Sequence, residues 1–147
     1  MAKPVIDKPV KDKPVKDKPL DAKLLPSRIV LNPAKDLLTI EYAGDIRHAL
    51  PAEYLRVLSH SAEVRGHGRG QEVLQYGKSL VTITAITKSG NYAIQISFSD
   101  GHDSGIYSWD YLYDLGANYK TRWATYLQTL QQAGQSRDPD TQVVKLV

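Results

Sequence analysis

The sequence predicts an α+β fold, a two-layer antiparallel or mixed β-sheet with two or three helices packed on it. The chain has 147 residues, of which 41% are hydrophobic and 24% charged, and these values fit one globular domain of ordinary size. Short stretches of alternating apolar and polar residues are separated by turn residues, which is typical of hairpins. The helical patterns do not alternate strictly with the strands, so a doubly wound parallel sheet is disfavoured.

Three strands and a short helix are predicted in the first half of the folded part. Residues 28–31 form a short strand that ends at an Asn-Pro step, and residues 37–42 form a second strand with β-branched content. The Ala-Gly-Asp sequence at 43–45 predicts a hairpin turn into a third strand at 46–50. We expect a helix to begin at Pro51, because proline suits the first helical position.

The second half begins with the clearest strand pattern of the sequence, at residues 80–88. Its alternation predicts that four side chains share one face: Val81, Ile83, Ala85 and Thr87. Turns at Gly90 and Gly101 connect this strand to predicted partners at 92–98 and 104–107. The pattern therefore indicates a second antiparallel set of three strands.

Two further helices are predicted after these strands. Ser108 is expected to cap a helix at 109–115, and Gly116 is expected to end it. A second helix at 119–133 ends at Gly134 and carries an apolar stripe formed by Trp123, Tyr126, Leu127 and Leu130.

Residues 1–25 are predicted to be a disordered tail rich in Lys and Pro. The unit KPVKD recurs here, its proline disfavours a helix, and its alternating charges leave little to bury. Such a tail either aids solubility or tethers a partner that carries an acidic surface or a groove, and both alternatives stay open. Residues 26–134 are predicted to form a single domain, and residues 135–147 a flexible C-terminal tail.

The distribution of charge argues against a nucleic-acid partner. Seven lysines and four aspartates lie within the first 23 residues, so the net charge of +3 belongs entirely to this segment. A surface that binds phosphates needs clustered Lys and Arg on the fold itself. No apolar run is long enough to cross a membrane, and the N-terminal residues resemble no signal peptide, so we expect a cytoplasmic protein without a membrane partner.

No complete catalytic motif is present. The chain contains no cysteine, and it has four histidines: His48, His60, His67 and His102. None of the four lies in an H-x-D/E or H-E-x-x-H pattern, and G-x-S-x-G is absent. Gly77-Lys78-Ser79 resembles the end of a phosphate loop, but Glu72 stands where that motif needs a glycine. We therefore expect no catalytic residues, no firmly bound cofactor and no enzymatic activity.

The stretch around His102 contains the polar side chains that say most about a possible site. His102 lies between two predicted strands and is flanked by Asp100 and Asp103, and a neighbouring carboxylate can orient a histidine as a metal ligand. The alternative is a turn histidine that holds the hairpin through hydrogen bonds. The glycine-rich sequence at 66–70 is either an anion-binding loop or a flexible connection.

Four motifs together resemble a known family. They are LPAEYLRV at 50–57, the run at 59–67, GNYA at 90–93 and DGHDSGIYSWDYL at 100–112. They resemble the domain-of-unknown-function 971 family, which is related to the N-terminal domain of gamma-butyrobetaine hydroxylase, and the resemblance covers residues 26–117. It implies a small β-rich α+β domain that occurs alone, before dioxygenase domains, or attached to iron–sulfur carrier ATPases.

The resemblance also implies a place to look for a metal. In the hydroxylases the matching domain binds zinc through three cysteines and a histidine, and these positions correspond here to Ser59, Ser61, Val64 and His102. Serine and valine side chains do not replace thiolates, so tight structural zinc is not expected. His67 and His102, together with a carboxylate, would be the ligands of a weakly held Fe or Zn ion.

The functional hypothesis is a non-enzymatic accessory or interaction domain linked to iron–sulfur or iron-dependent processes. The resemblance implies a protein partner of the iron–sulfur carrier ATPase or oxygenase type. The predicted contact surface lies near the loop that follows Ser59 and near His102, and consists of Arg65, Arg69, Asp103 and Tyr107. Two alternatives are a weak Fe- or Zn-binding protein that uses His67 and His102, and an accessory subunit of a dioxygenase.

Overall fold

The computed structural model describes residues 24–59 and 73–140, which form two three-stranded antiparallel sheets and three helices. The predicted α+β fold is confirmed. The first sheet and the helix that follows it are β1 (Arg28–Leu31), β2 (Leu37–Tyr42), β3 (Ile46–Pro51) and α1 (Ala52–Val57). The second sheet and its helices are β4 (Ile83–Ser89), β5 (Ala93–Phe98), β6 (Gly105–Ser108), α2 (Trp109–Ala117) and α3 (Tyr119–Ala133).

Each sheet is a meander in which sequential strands pair. The order is β1-β2-β3 in the first sheet and β4-β5-β6 in the second. The turn between β2 and β3 holds Gly44 and Asp45 at φ values of 79° and 62°, as in the tight turns that match the twist of a hairpin. The N–H of Ile83 donates to the carbonyl of Lys35 over 2.8 Å and joins the two sheets at one corner.

The predicted alternation along β4 is wrong beyond Ile83. The pairing of β4 with β5 shifts in register between Ile83 and Ala85, as at a β-bulge. Side chains alternate between the two faces of a strand, so one extra residue moves every later side chain to the opposite face. Ile83 is therefore buried, while Ala85 and Thr87 are exposed and Ile86 packs against the core.

The ends of the helices follow the prediction in part. The Ser108 hydroxyl accepts the N–H of Tyr111 over 3.1 Å, and Gly134 ends α3 with a φ of 68°, as expected. Pro51 precedes α1 as its N-cap instead of being its first helical residue. Gly116 does not end α2, which continues to Ala117, and its lack of a side chain leaves room for His48.

One apolar core connects both sheets with α1 and α2. Its most completely buried aliphatic side chains are Leu38, Ile40, Leu50, Leu55, Ile83, Ile96, Leu112 and Leu115. Burying a side chain of this size contributes about 1.5–3 kcal/mol relative to leaving it exposed. A smaller cluster of Val57, Tyr126 and Leu130 lies between α1 and α3. Leu127, which was predicted in the same stripe, is 39% exposed.

Residues 135–140 pack against the helices through one arginine. Arg137 donates two hydrogen bonds to the buried carboxylate of Glu53, at 2.8 and 2.7 Å, and its guanidinium lies 5.1 Å from the centre of the Trp123 ring. Residues 1–23 and 141–147 of the two predicted tails lie outside the described residues, so both tails stay predictions. No helix in the described part is long and apolar enough to span a membrane.

Candidate functional site

Polar and charged side chains meet where the end of α1 approaches the turn between β5 and β6. We call this group the His102 corner, and its members are Arg56, Ser59, Lys78, Asp100, His102 and Tyr107. The turn is held by its own backbone: Gly101 has a φ of 93° and donates to Phe98, and the N–H of Phe98 donates to the carbonyl of His102 over 2.8 Å. The N–H of His102 donates to an oxygen of Asp100 over 3.2 Å.

The uncharged half of the corner is a buried network of hydrogen bonds. The Ser59 hydroxyl lies 3.1 Å from Nε2 of His102, and only 1% of Ser59 and 5% of His102 are exposed. Tyr107 is fully buried, and its hydroxyl donates to the carbonyl of Leu55 over 2.5 Å. Burial raises the pKa of Tyr107, and the nearby Ser59 hydroxyl offsets part of this effect. The network therefore joins the last turn of α1 to β6 and to the turn before it.

Gly105 leaves the space that this network needs. A Cβ atom at Gly105 would lie 3.0 Å from the Ser59 hydroxyl oxygen and 3.0 Å from a ring carbon of Tyr107. Contacts of that length are tighter than ordinary van der Waals contact, so either the serine or the tyrosine would have to move. The first residue of β6 is thus a glycine for a reason of packing.

The charged half of the corner is a carboxylate between two cations. One oxygen of Asp100 accepts a hydrogen bond from Nε of Arg56 over 2.9 Å and another from Nζ of Lys78 over 2.6 Å. The Arg56 side chain is only 7% exposed. Burial alone would raise the pKa of Asp100, but the hydrogen bonds from Lys78, the His102 N–H and Arg56 outweigh it and lower the pKa to about 2.

The Ser59–His102 pair has the spacing of a nucleophile and its base, but not the access. A catalytic serine must reach an incoming substrate, whereas the Ser59 side chain is almost completely covered. The His102 ring links the turn to Ser59 after α1, whereas its backbone N–H and carbonyl form hydrogen bonds within the turn itself.

The donor set of the corner does not fit the zinc site that the resemblance implies. Nε2 of His102 is already within hydrogen-bonding distance of the Ser59 hydroxyl, and a neutral hydroxyl is a poor zinc ligand. Across residues 24–59 and 73–140, no group of three His, Cys, Asp or Glu side chains is placed to hold a metal ion. His67, the second nitrogen ligand of the predicted weak site, lies outside the described residues.

The residues of the predicted contact surface differ in exposure. Asp103 is exposed, and its backbone carbonyl accepts a hydrogen bond from Gln95 over 2.6 Å. Tyr107 is completely buried, so its side chain is not part of the surface. Arg65 and Arg69 lie outside the described residues.

Sequence reasoning missed the charged half of the corner. Arg56 is a buried cation within the apolar run of α1, and that position was the available signal, because a buried charge requires a partner. Lys78 was weighed only as part of a phosphate loop. The link between Ser59 and His102 had a signal as well, since the resemblance aligns both residues with ligands of one ion.

A second histidine lies in a different environment. The ring of His48 packs between Tyr42 and Tyr113, with ring centres 5.5 and 5.2 Å away, and we call these three residues the His48 corner. Gly116 of α2 lies against it, because a Cβ atom there would be 2.2 Å from Nδ1 of His48. The hydroxyl of Tyr42 and Nδ1 of His48 are both buried and have no hydrogen-bond partner within the described ranges.

Burial shifts the titration of both polar groups in the His48 corner. It lowers the pKa of His48, and it raises the pKa of Tyr42 to about 12 with a smaller contribution from Tyr113. The His48 corner is therefore held by ring packing, and its charged forms are disfavoured.

Large apolar side chains are exposed on the segment that leads into β4. Val73 is 50% exposed, Tyr76 51% and Leu80 71%. Lys78, between them, is tied to Asp100 of the His102 corner. We call residues 73–80 the exposed apolar segment.

Comparisons with known proteins agree on one family. Residues 29–113 match the family described as gamma-butyrobetaine hydroxylase-like, N-terminal. A crystal structure of a protein of unknown function from Acidithiobacillus ferrooxidans, which belongs to the domain-of-unknown-function 971 family, is 30% identical with a TM-score of 0.55. That match covers 67% of this chain and 99% of the other.

Two solution structures determined by NMR are also similar. One is 52% identical with a TM-score of 0.70, and the match covers 84% of this chain and 97% of the other. The second is 38% identical with a TM-score of 0.67, covering 96% and 99%. No curated protein matches the sequence significantly.

Proposed function

Since this chain belongs to the gamma-butyrobetaine hydroxylase-like N-terminal family, we propose that it is a non-enzymatic accessory domain that acts by binding another protein. One observation carries the proposal. The groups that could perform chemistry in the His102 corner are buried in hydrogen bonds or ion pairs, whereas large apolar side chains on the exposed apolar segment face solvent. Grouped apolar side chains on a surface are typical of sites that contact another protein.

The proposed contact surface is centred on Tyr76 and Leu80. Tyrosine is enriched in protein interfaces because it combines a large apolar ring with a polar tip, and Leu80 adds further apolar area. The ion pair between Lys78 and Asp100 holds this segment near the β5–β6 turn, where Asp103 is exposed. Arg65 and Arg69, which precede the segment in the chain and lie outside the described residues, remain proposed contact residues.

The proposed partner is an iron–sulfur carrier ATPase or an oxygenase, the two classes that the resemblance implies. We propose that they meet in the cytoplasm and that the domain serves an iron-dependent process there. An oxygenase partner would make this chain an accessory subunit of a dioxygenase. The donor set of the His102 corner does not favour the alternative of a weak metal-binding protein.

The test is a capture experiment with the full chain as bait in native lysate, read by mass spectrometry. The Tyr76→Ser/Leu80→Ser double variant should lose most of the captured partner, since both apolar contacts are removed. The control is Tyr92→Ser/Ile106→Ser, which removes a tyrosine that is 42% exposed in the turn before β5 and an aliphatic side chain that is 49% exposed on β6. The control should capture the partner as well as wild type does.

The proposal fails if the two double variants behave alike, because binding would then not use the exposed apolar segment. Recovery of a partner from neither proposed class would leave a protein-binding domain but refute the link to iron. A small molecule turned over by the purified chain alone would contradict the non-enzymatic assignment.

A further inference from the structure

We propose that residues 135–140 are a strap that holds the exposed apolar segment in its shape, and that Arg137 is the positioning residue that anchors this strap to α1. The proposal rests on the proposed function, because that function places the partner on the exposed apolar segment. The strap and the segment then form one surface, and the strap determines the shape that the partner meets.

The exposed apolar segment has no regular structure of its own. Residues 73–80 form neither helix nor strand, so no ladder of hydrogen bonds within the segment fixes its backbone. Segments of this kind open at a small cost in free energy unless other parts of the fold hold them. The shape of the segment therefore depends on contacts with the rest of the chain.

The strap supplies two backbone hydrogen bonds to the middle of the segment. The N–H of Gly77 donates to the carbonyl of Ser136 over 2.8 Å. The N–H of Ser79 donates to the carbonyl of Arg137 over 2.9 Å. Gly77 has a φ of 69°, and a Cβ atom there would lie 3.4 Å from Cα of Pro139, so the two backbones also pack closely.

One side chain anchors the strap to the helices. Arg137 donates through Nε and Nη2 to the two oxygens of Glu53, a carboxylate that is only 7% exposed. Its guanidinium also lies over the ring of Trp123. A bidentate pair of this kind fixes the orientation of both groups as well as their distance. Because the backbone carbonyl of Arg137 accepts from Ser79, the anchor and the contact with the segment lie in one residue.

Two other contacts hold the segment without the strap. The hydroxyl of Tyr126 donates to the carbonyl of Gln75 over 2.7 Å, and Lys78 pairs with Asp100. These contacts use a carbonyl and a side chain of the segment, whereas the strap accepts from two of its N–H groups. Exchange of those two amide hydrogens with solvent is therefore a direct measure of the strap.

Amide hydrogen exchange of the full chain, read by NMR, tests the strap without any partner. In Arg137→Gln the amides of Gly77 and Ser79 should exchange about 10- to 100-fold faster than in wild type, because two hydrogen bonds between charged groups are lost. The amides of β5, the central strand of the second sheet, report the stability of the whole fold in the same spectra. Their exchange should change less.

A second variant covers the case in which an unpaired Glu53 weakens the whole fold. Glu53→Gln/Arg137→Gln removes both charges, so no buried carboxylate is left without its partner, and it should show the same local acceleration. Arg122→Gln is the matched control. Arg122 also has a carboxylate partner, Asp114, and also lies over a tyrosine ring, that of Tyr111, but both of these partners belong to α2. The control should leave exchange at Gly77 unchanged.

Two results with Glu53→Gln/Arg137→Gln would overturn the strap. The first is exchange at Gly77 and Ser79 equal to that of wild type, because the anchor would then hold nothing. The second is equal acceleration at these amides and in β5, because the whole fold would then have been weakened instead of one segment.

The capture experiment tests whether the strap matters to the partner. Apparent affinity falls with the fraction of chains whose surface has the binding shape, so Arg137→Gln should retain less than about half of the partner that Arg122→Gln retains. Equal capture by the two variants would refute the link between the strap and the partner. Failure of the proposed function is seen separately, in Tyr76→Ser/Leu80→Ser, and the exchange result does not depend on it.

Discussion

His48 and His102 both lie beside aromatic rings, but different forces hold the two imidazoles in place. His102 is within hydrogen-bonding distance of Ser59 and belongs to a turn that an ion-paired aspartate supports. His48 packs between two tyrosine rings and against the backbone of α2, and its Nδ1 is buried without a hydrogen-bond partner in the described part of the chain.

The difference shows how one residue type serves two kinds of contact. A hydrogen bond fixes an imidazole by direction, so the His102 corner depends on specific oxygen and nitrogen atoms. Ring packing fixes it by shape, so the His48 corner depends on the volume around it. Substitutions that change polarity should therefore affect the first corner most, and substitutions that change volume should affect the second most.

The largest expected effect comes from removing the carboxylate of the His102 corner. Asp100→Ala leaves the buried guanidinium of Arg56 without its charge partner, and breaking a buried pair costs about 3–5 kcal/mol. We expect a loss near the low end of that range, because Asp100 itself is partly exposed. Urea unfolding measures the change. Asp103→Ala is the control and should change stability by less than about 0.5 kcal/mol, and equal losses in both would refute the pair.

The next largest effect comes from adding volume to the His48 corner. Alanine in a helix is normally favoured over glycine by about 1 kcal/mol, yet Gly116→Ala should destabilise the protein by about 1–3 kcal/mol, because the new Cβ atom would collide with the His48 ring. In a His48→Ala background the two ring contacts are absent but the Cβ atom of residue 48 would still lie 2.7 Å from the new one, so the loss caused by Gly116→Ala should shrink without vanishing. Thermal unfolding of the four proteins measures this coupling, and equal losses from Gly116→Ala in both backgrounds would contradict the packing.

Acid should weaken the His102 corner through Asp100. The pKa of this carboxyl is lowered from 3.8 to about 2 by its hydrogen bonds and ion pairs, so the unfolded state takes up the proton first as pH falls. The stabilisation is fully present above pH 4 and is lost as pH falls toward 2. Comparing the acid unfolding of wild type and Asp100→Asn isolates the contribution, and parallel stability curves between pH 4 and 2 would argue against it.

The smallest expected effect is the titration of His48. Burial lowers the pKa of this imidazole in the folded protein, so the unfolded chain binds the proton more readily. Stability should decline as pH falls below the ordinary histidine pKa of about 6.5, and His48→Asn should show less of this decline. The free energy of unfolding measured at pH 7 and pH 5 provides the comparison. A steeper decline in the variant would show that the sign is wrong.

Local signals in the sequence predicted most elements of the fold. The turn at Gly44 and Asp45, the cap at Ser108 and the stop at Gly134 depend on a few neighbouring residues, so they could be read without the rest of the chain. Gly116 was misread for the same reason. A glycine after a helical run resembles a helix end, but here it makes room for His48, which is 68 residues earlier in the chain.

The site could be predicted only where a resemblance supplied long-range information. The resemblance aligned Ser59 and His102 with ligands of one metal, and the structure brings the same two residues together through a hydrogen bond. The ion pair of Arg56 with Asp100 spans 44 residues, and no periodicity in either segment indicates it. The face of Ala85 was mispredicted because a bulge depends on pairing with a second strand.

The sequence alone determined the order of the strands, the helix cap at Ser108, the helix end at Gly134 and the absence of cysteine ligands, because turn, capping and composition signals are local. The tertiary structure decided which polar groups meet and which are covered. Hydrogen bonds and ion pairs between distant segments form only after the core has placed their backbones. The difference between the two histidines is therefore a property of what surrounds them and is not encoded in the residues next to either one.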